Sequence, residues 1–153
     1  MLKHIISIAI CLGAGFVGSF FNSPAIDGWY AGIDKPFFNP PNWIFAPVWT
    51  ILFILMGIAA AIIWNKGLES DAVKIALMVF IFHLVLNILW SMFFFGMQNP
   101  GLAFIEIVVL WLMIILVMYL FYQLDHRAAY LLIPYILWVS FAAVLNYSIW
   151  QLN

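Results

Sequence analysis

Charge is what this chain has least of. Only 7% of its 153 residues are Asp, Glu, Lys or Arg, against 68% hydrophobic residues and a mean hydropathy of +1.15. A water-soluble domain carries about 25% charged side chains, so the shortfall excludes an ordinary soluble fold and places the chain in lipid. The charges that remain nearly cancel, to a net of -1, which excludes the basic footprint of a nucleic-acid binder. Cysteine is almost absent. Cys11 stands alone, so no internal disulfide can form and thiols say nothing about redox compartment. Also missing are a nucleophile elbow, a phosphate-cradling loop, a metal-ligand cluster and a carboxylate pair, which leaves hydrolytic and phosphoryl-transfer chemistry without candidates.

Long apolar runs take their place. Each helical crossing of a bilayer needs about 20 apolar residues, and five such segments can be drawn, at about residues 5–21, 44–64, 72–97, 101–123 and 127–151. Asn22-Ser23-Pro24, Asn65-Lys66-Gly67, Asn99-Pro100-Gly101 and Asp125-His126-Arg127 punctuate them. Backbone groups in lipid need partners within their own segment, and these runs lack the alternation of a barrel. The sequence therefore predicts an all-α integral membrane protein, a five-transmembrane-helix bundle forming one domain over residues 1–153, with a loop at about 22–43. Lys3 and His4 before an apolar run fit a signal peptide loosely, but the run outlasts the usual core of about 7–15 residues and no Ala-x-Ala pattern closes it, so a retained helix is expected. An N-terminus on one side gathers Lys3, Lys66, Lys74 and Arg127 there and leaves Lys35 opposite. The positive-inside rule then places the N-terminus in the cytoplasm and the chain in a bacterial cell membrane.

The stretch from Trp29 to Thr50 holds three Trp, one Tyr, three Phe and four Pro, more than a spacer needs. Prolines 36, 40, 41 and 47 fix φ and remove donors, and a stiff, ring-lined loop can serve as lid or wall for a flat apolar ligand. On the third segment His83, Asn87, Trp90 and Phe94 share one helical face. A polar stripe at that depth must face the bundle interior, a partner or a cavity; for Asn87 an interhelical hydrogen bond and a ligand contact are both open, and for His83 the hydrogen bond is favoured. Pro134, Trp138, Ala142 and Asn146 make a second such face, with Ala142 leaving space beside Trp138, and Trp49 and Phe53 make a third. Three stripes that each carry a Trp point to a pocket, although any one alone would be read as packing. Glu106, near the start of the fourth segment, is expected to be a structural acceptor. Ala14/Gly18 and Gly15/Ser19 on the first segment are small-xxx-small pairs, suited either to packing inside the bundle or to a dimer face, and Gly57/Ala61 repeat the pattern.

The elements Trp29-Tyr30, Lys35-Pro36, Pro40-Pro41, Pro47-Val-Trp49-Thr50, Leu86-Asn87-Ile-Leu-Trp90-Ser91, Pro134-Tyr135-Ile-Leu-Trp138 and Phe141-Ala142-Ala-Val-Leu145-Asn146-Tyr147 resemble the translocator protein family, also called tryptophan-rich sensory proteins or peripheral benzodiazepine receptors. The resemblance covers most of the chain from Trp29 onward. It implies a five-helix bundle, commonly a homodimer, that binds porphyrins such as protoporphyrin IX and isoquinoline- or benzodiazepine-type ligands beneath the first loop, with no required cofactor. Carried over, the site would involve Tyr30, Pro40, Trp49, Asn87, Trp90, Trp138 and Ala142. Some members promote light- and oxygen-dependent porphyrin breakdown, with tryptophans such as Trp49 and Trp138 implicated, and a scaffold role for partner proteins is a further alternative. Two positions depart from the pattern. Gln151 stands where the sterol-recognition motif begun by Leu145 and Tyr147 needs a basic residue, which argues against cholesterol. His83 stands where relatives often carry Gln, so the resemblance puts a titratable group at the pocket, one that could in principle ligate haem iron.

Overall fold

Six helical elements and no strand make up the computed structural model, which describes all residues from Met1 to Asn153. They are α1 (Leu2–Ala25), α2 (Asn42–Trp64), α3 (Asp71–Ser91), α4 (Pro100–Leu124), α5 (His126–Leu131) and α6 (Ile133–Leu152). Wider helical turns at Ile26–Tyr30 and Met92–Gly96 prolong α1 and α3. Because α5 and α6 form one crossing, five apolar helices are long enough to span a membrane.

Prolines account for most departures from the expected boundaries. The first helix does not stop at Asn22-Ser23-Pro24; Pro24 lies inside α1, and the helix goes on to Tyr30. A proline removes one donor and crowds one carbonyl, and a helix in a bundle tolerates this when a widened turn or a neighbour re-satisfies the freed group. Pro47 is likewise inside α2, which begins at Asn42. The expected loop at 22–43 thus shrinks to residues 33–41. Pro134 does interrupt its helix: Leu132 closes a tight turn onto the Ala129 carbonyl at 3.0 Å, and α6 restarts around the proline. At the α3–α4 junction Asn99 caps α4 by accepting from the Leu102 N–H at 3.1 Å, with Pro100 where its missing N–H costs nothing.

Small residues let the helices close up. A Cβ added to Gly57 would stand 2.5 Å from the Ile8 backbone, and one added to Gly15 would stand 2.7 Å from the Phe53 ring, so the N-terminal half of α1 meets the C-terminal half of α2 tightly. The shared core is built from fully buried Cys11, Met56, Ile63, Ile114, Phe121 and Tyr135, with Phe80 stacked on Phe121 at 5.7 Å.

Polar contacts mark the two ends of the bundle. At one end the Lys3 ammonium lies 5.6 Å over the Trp64 ring, and Asp125 pairs with Lys66 at 3.1 Å and Arg127 at 3.0 Å while capping α5 through the Arg127 N–H. Three of the four cations expected on one side are therefore together. At the other end Asn153 exchanges two hydrogen bonds with the Asp34 backbone, at 2.8 and 3.0 Å. Lys35 donates to the Tyr30 and Ile33 carbonyls.

Two expectations follow from these contacts. Gly57→Leu forces a side chain into the α1 backbone and should destabilise the detergent-solubilised protein by about 1–3 kcal/mol or more, measured as a lowered unfolding temperature. Arg127 and then Lys66 hold the Asp125 carboxyl well below the ordinary carboxylate range. A depressed carboxylate stabilises above its unfolded pKa, about 4, and loses that contribution as pH falls through its folded value. Unfolding temperature should accordingly drop between pH 4 and pH 2 more steeply for the parent than for Asp125→Asn.

Candidate ligand-binding site

Tyr135 is the residue from which the site is best built. It is fully buried on α6, and its hydroxyl lies 2.8 Å from His83 Nε2 and 2.6 Å from Asn87 Nδ2. His83 Nδ1 lies 2.9 Å from the Phe80 carbonyl. A carbonyl can only accept, so Nδ1 carries the proton and Nε2 accepts from the tyrosine. The tyrosine has then spent its one proton and must accept from Asn87. That orients the amide, with its NH2 toward Tyr135 and its oxygen left for the other side.

On that other side is a cavity of about 460 Å³, within the range of small-molecule sites. Tyr30, Trp49, Phe53, Asn87, Trp90, Trp138 and Ala142 line it, so seven of the nine residues expected at a ligand site lie on one surface. The rings brace one another. Trp90 stacks on Phe94 at 5.1 Å, Trp49 stands 5.7 Å from Phe53 and Phe45 meets Trp138 edge-on at 6.0 Å. Ile107 and Leu110 of α4 close the rear, and Leu145 and Ile149 of α6 continue the wall. Lining residues that are also exposed, Leu12, Phe16 and Ser23 on α1 with Asn42, Ala46 and Thr50 on α2, place the mouth between these helices, where they part beyond the Gly15–Phe53 contact.

Pro40 and His83 are not on the wall. None of residues 33–41 lines the cavity, so the proline-rich segment is not its lid. The segment instead braces a helical cover: Asn39 accepts from the Tyr30 hydroxyl at 2.9 Å, and the Lys35 ammonium lies 4.9 Å over the Tyr30 ring. His83 is 1% exposed with both ring nitrogens hydrogen-bonded, so it brings no titratable group to the pocket and has no nitrogen free for haem iron. One helical turn separates it from Asn87, and Tyr135 fills the space between. Pro134 shares a face with Trp138, as expected, but on an outer groove with Leu137 and Phe141 rather than on the cavity wall. The small-residue pairs have a defined place: Ala14, Gly15, Gly18 and Ser19 all line the cavity, with Gly15 against Phe53 and Gly18 near Ser91. They serve the interior of the bundle.

Two residues matter more than the sequence reading allowed. Tyr135 gave no signal beyond its place in a motif, since one buried tyrosine resembles any other until its partners are known. Asn146 lay on a recognised face. It accepts from Trp90 Nε1 at 2.9 Å and donates to the Pro100 carbonyl at 2.8 Å, tying α3, α4 and α6. Some polar groups stay unpaired. Trp138 and Asn22 line the cavity, but Trp138 Nε1 and Asn22 Oδ1 are turned away from it, buried in the protein with no partner. Glu106 is buried on α4 away from the cavity, and neither carboxyl oxygen is hydrogen-bonded; it does not act as the acceptor expected of it. No group of three His, Cys, Asp or Glu side chains is placed to hold a metal ion.

Known proteins resemble the chain along almost its whole length. Residues 7–151 match the model of the TspO/MBR family. The chain is 44% identical to the tryptophan-rich protein TspO of Chlorobaculum tepidum, with 100% of this chain and 99% of the relative aligned. It is also 44% identical to the protein of that name from Archaeoglobus fulgidus, over 100% and 98% of the two chains. The human translocator protein is 35% identical over 96% of this chain and 87% of its own length. A five-crossing helical bundle, an indole-lined interior and likeness at this level over nearly every residue lead to one conclusion: the chain is an integral, multi-pass membrane protein that belongs to the TspO/MBR family.

Proposed function

We propose that this protein is a membrane receptor, transporter-like in design, that takes a tetrapyrrole such as protoporphyrin IX, and isoquinoline- or benzodiazepine-type molecules, into the cavity between its helices. The observation that carries this reading is the convergence of Trp49, Trp90 and Trp138 on one space. Flat aromatic bodies gain from stacked and edge-on rings. The Asn87 oxygen, turned toward the cavity by the Tyr135 chain, supplies a directional contact. The cationic end at Lys3, Lys66 and Arg127 supports a cytoplasmic N-terminus in a bacterial cell membrane. The same reading includes a homodimer, with Gly15 and Gly18 packed against Phe53 and Ser91 inside each bundle.

A second reading has one observation in its favour: Trp49 and Trp138 both border the cavity, so either indole would touch a bound porphyrin and could donate an electron to its photoexcited state with dioxygen as the terminal oxidant. Degradation in light at an unchanged rate by the Trp49→Phe, Trp138→Phe double variant would dismiss it.

The receptor reading is tested by titrating protoporphyrin IX against tryptophan fluorescence. Quenching should saturate, and Trp138→Ala should weaken affinity about tenfold. Asn87→Leu should weaken it about fivefold. Gly15→Leu, which pushes the Phe53 ring into the space, should largely abolish quenching. Affinity unchanged in all three variants would mean that the ligand binds elsewhere.

A further inference from the structure

The cavity has a polar end, and its polarity is of one kind. None of its 29 lining residues is charged. Ser19, Asn22 and Ser23 on α1 and Asn42 and Thr50 on α2 nevertheless form a collar of uncharged hydrogen-bonding side chains at the mouth. The depth of this collar can be read along α1. Lys3 lies against Trp64 at one end of the bundle, and Asn22 is about 28 Å further along the helix at 1.5 Å per residue. A hydrocarbon core is about 30 Å thick, so the collar sits at the opposite interface, where the apolar interior gives way to headgroups and water. Within the collar Asn22 is distinguished by its bonding. The Ser19 and Thr50 hydroxyls give their protons to the Phe16 and Ala46 carbonyls, whereas the Asn22 oxygen is buried without a partner.

We propose that Asn22 selects the ligand by its acidic edge. The claim rests on the tetrapyrrole reading above and adds the orientation and the specificity: the macrocycle lies inward among the indoles, its carboxyl-bearing edge lies at the mouth, and the Asn22 amide hydrogen-bonds one of those carboxyl groups. An amide suits this position because it can serve either protonation state. As placed, its oxygen is turned into the protein and its NH2 is left to donate to a carboxylate, and a half turn about Cβ–Cγ brings the oxygen out to accept from a carboxylic acid. Absence of a cation makes the recognition one of neutral hydrogen bonds, and leaves the ligand's net charge to interfacial water. A ligand of the same flat body without acidic groups forfeits the contact but keeps the stacking.

The experiment compares protoporphyrin IX with its dimethyl ester by fluorescence titration of wild type, Asn22→Leu and Asn22→Lys in the same detergent. Wild type should prefer the diacid, and Asn22→Leu should lower affinity for the diacid by about 3- to 10-fold, the worth of one neutral hydrogen bond, while the ester stays within about twofold. Ester binding at that level also shows that the variant is folded. Asn22→Lys should raise affinity for the diacid about tenfold or more through a charge-assisted bond, not for the ester, and the gain should shrink in high salt. Equal losses for both ligands in Asn22→Leu, or no gain for the diacid in Asn22→Lys, would overturn the role of Asn22 and leave the cavity reading intact. Failure of wild type to bind either porphyrin would remove both together.

Discussion

A chain of hydrogen bonds buried at membrane depth, from the Phe80 carbonyl through His83 and Tyr135 to Asn87, sets the geometry on which the cavity depends. Lipid offers no water to unpaired polar groups, so four groups on two helices must find one another or be paid for individually. Their direction is decided by the single member that cannot donate. Because the Phe80 carbonyl accepts, every proton in the chain points the same way, and the amide at its end turns its oxygen to the open side. Interhelical hydrogen bonds in membranes are each worth only about 0.6 kcal/mol on average. Their value here lies in orientation: α3 and α6 are held in one register, and that register places Trp90 and Trp138 on the same wall.

The remaining seams follow the same logic with different chemistry. Asn146 ties Trp90 to the start of α4, and Trp111 donates to Ser140, which in turn bonds the Ile136 carbonyl. Between α1 and α2 the means are steric. Gly57 admits the Ile8 backbone and Gly15 admits the Phe53 ring, so the helices touch along one half and separate along the other. Without an apolar driving force between helices, close approach at small residues is a principal source of attraction. A bundle sealed at one end in this way opens at the other, and the mouth with its polar collar lies there.

Particular residues show where sequence reasoning succeeds and where it stops. The five crossings were legible because about 20 apolar residues in a row have few alternatives to a membrane helix. Asn87, Trp90, Trp138 and Ala142 were legible as members of helical faces, since a 3.6-residue period depends on no distant partner. Pro24 was read as a boundary and proved to lie within a helix; whether a lost hydrogen bond ends a helix depends on what surrounds it. The face of His83 favoured a hydrogen bond, which it makes; only the family resemblance put it at the pocket. A helical face is broad, however, and a tyrosine 52 positions away was needed to place the imidazole behind the wall.

Sequence by itself determined the solvent, the number of crossings and the faces that carry indoles, because hydropathy and periodicity are local sums over neighbouring residues. Only the tertiary structure decided that the small stripe of α1 lines a cavity, that Tyr30 rather than the proline segment covers it, and that Trp138 and Asn22 each bury a polar atom without a partner. Those outcomes turn on which side chain from a remote segment reaches a given atom first. Packing settles that competition, and no window along the chain contains it.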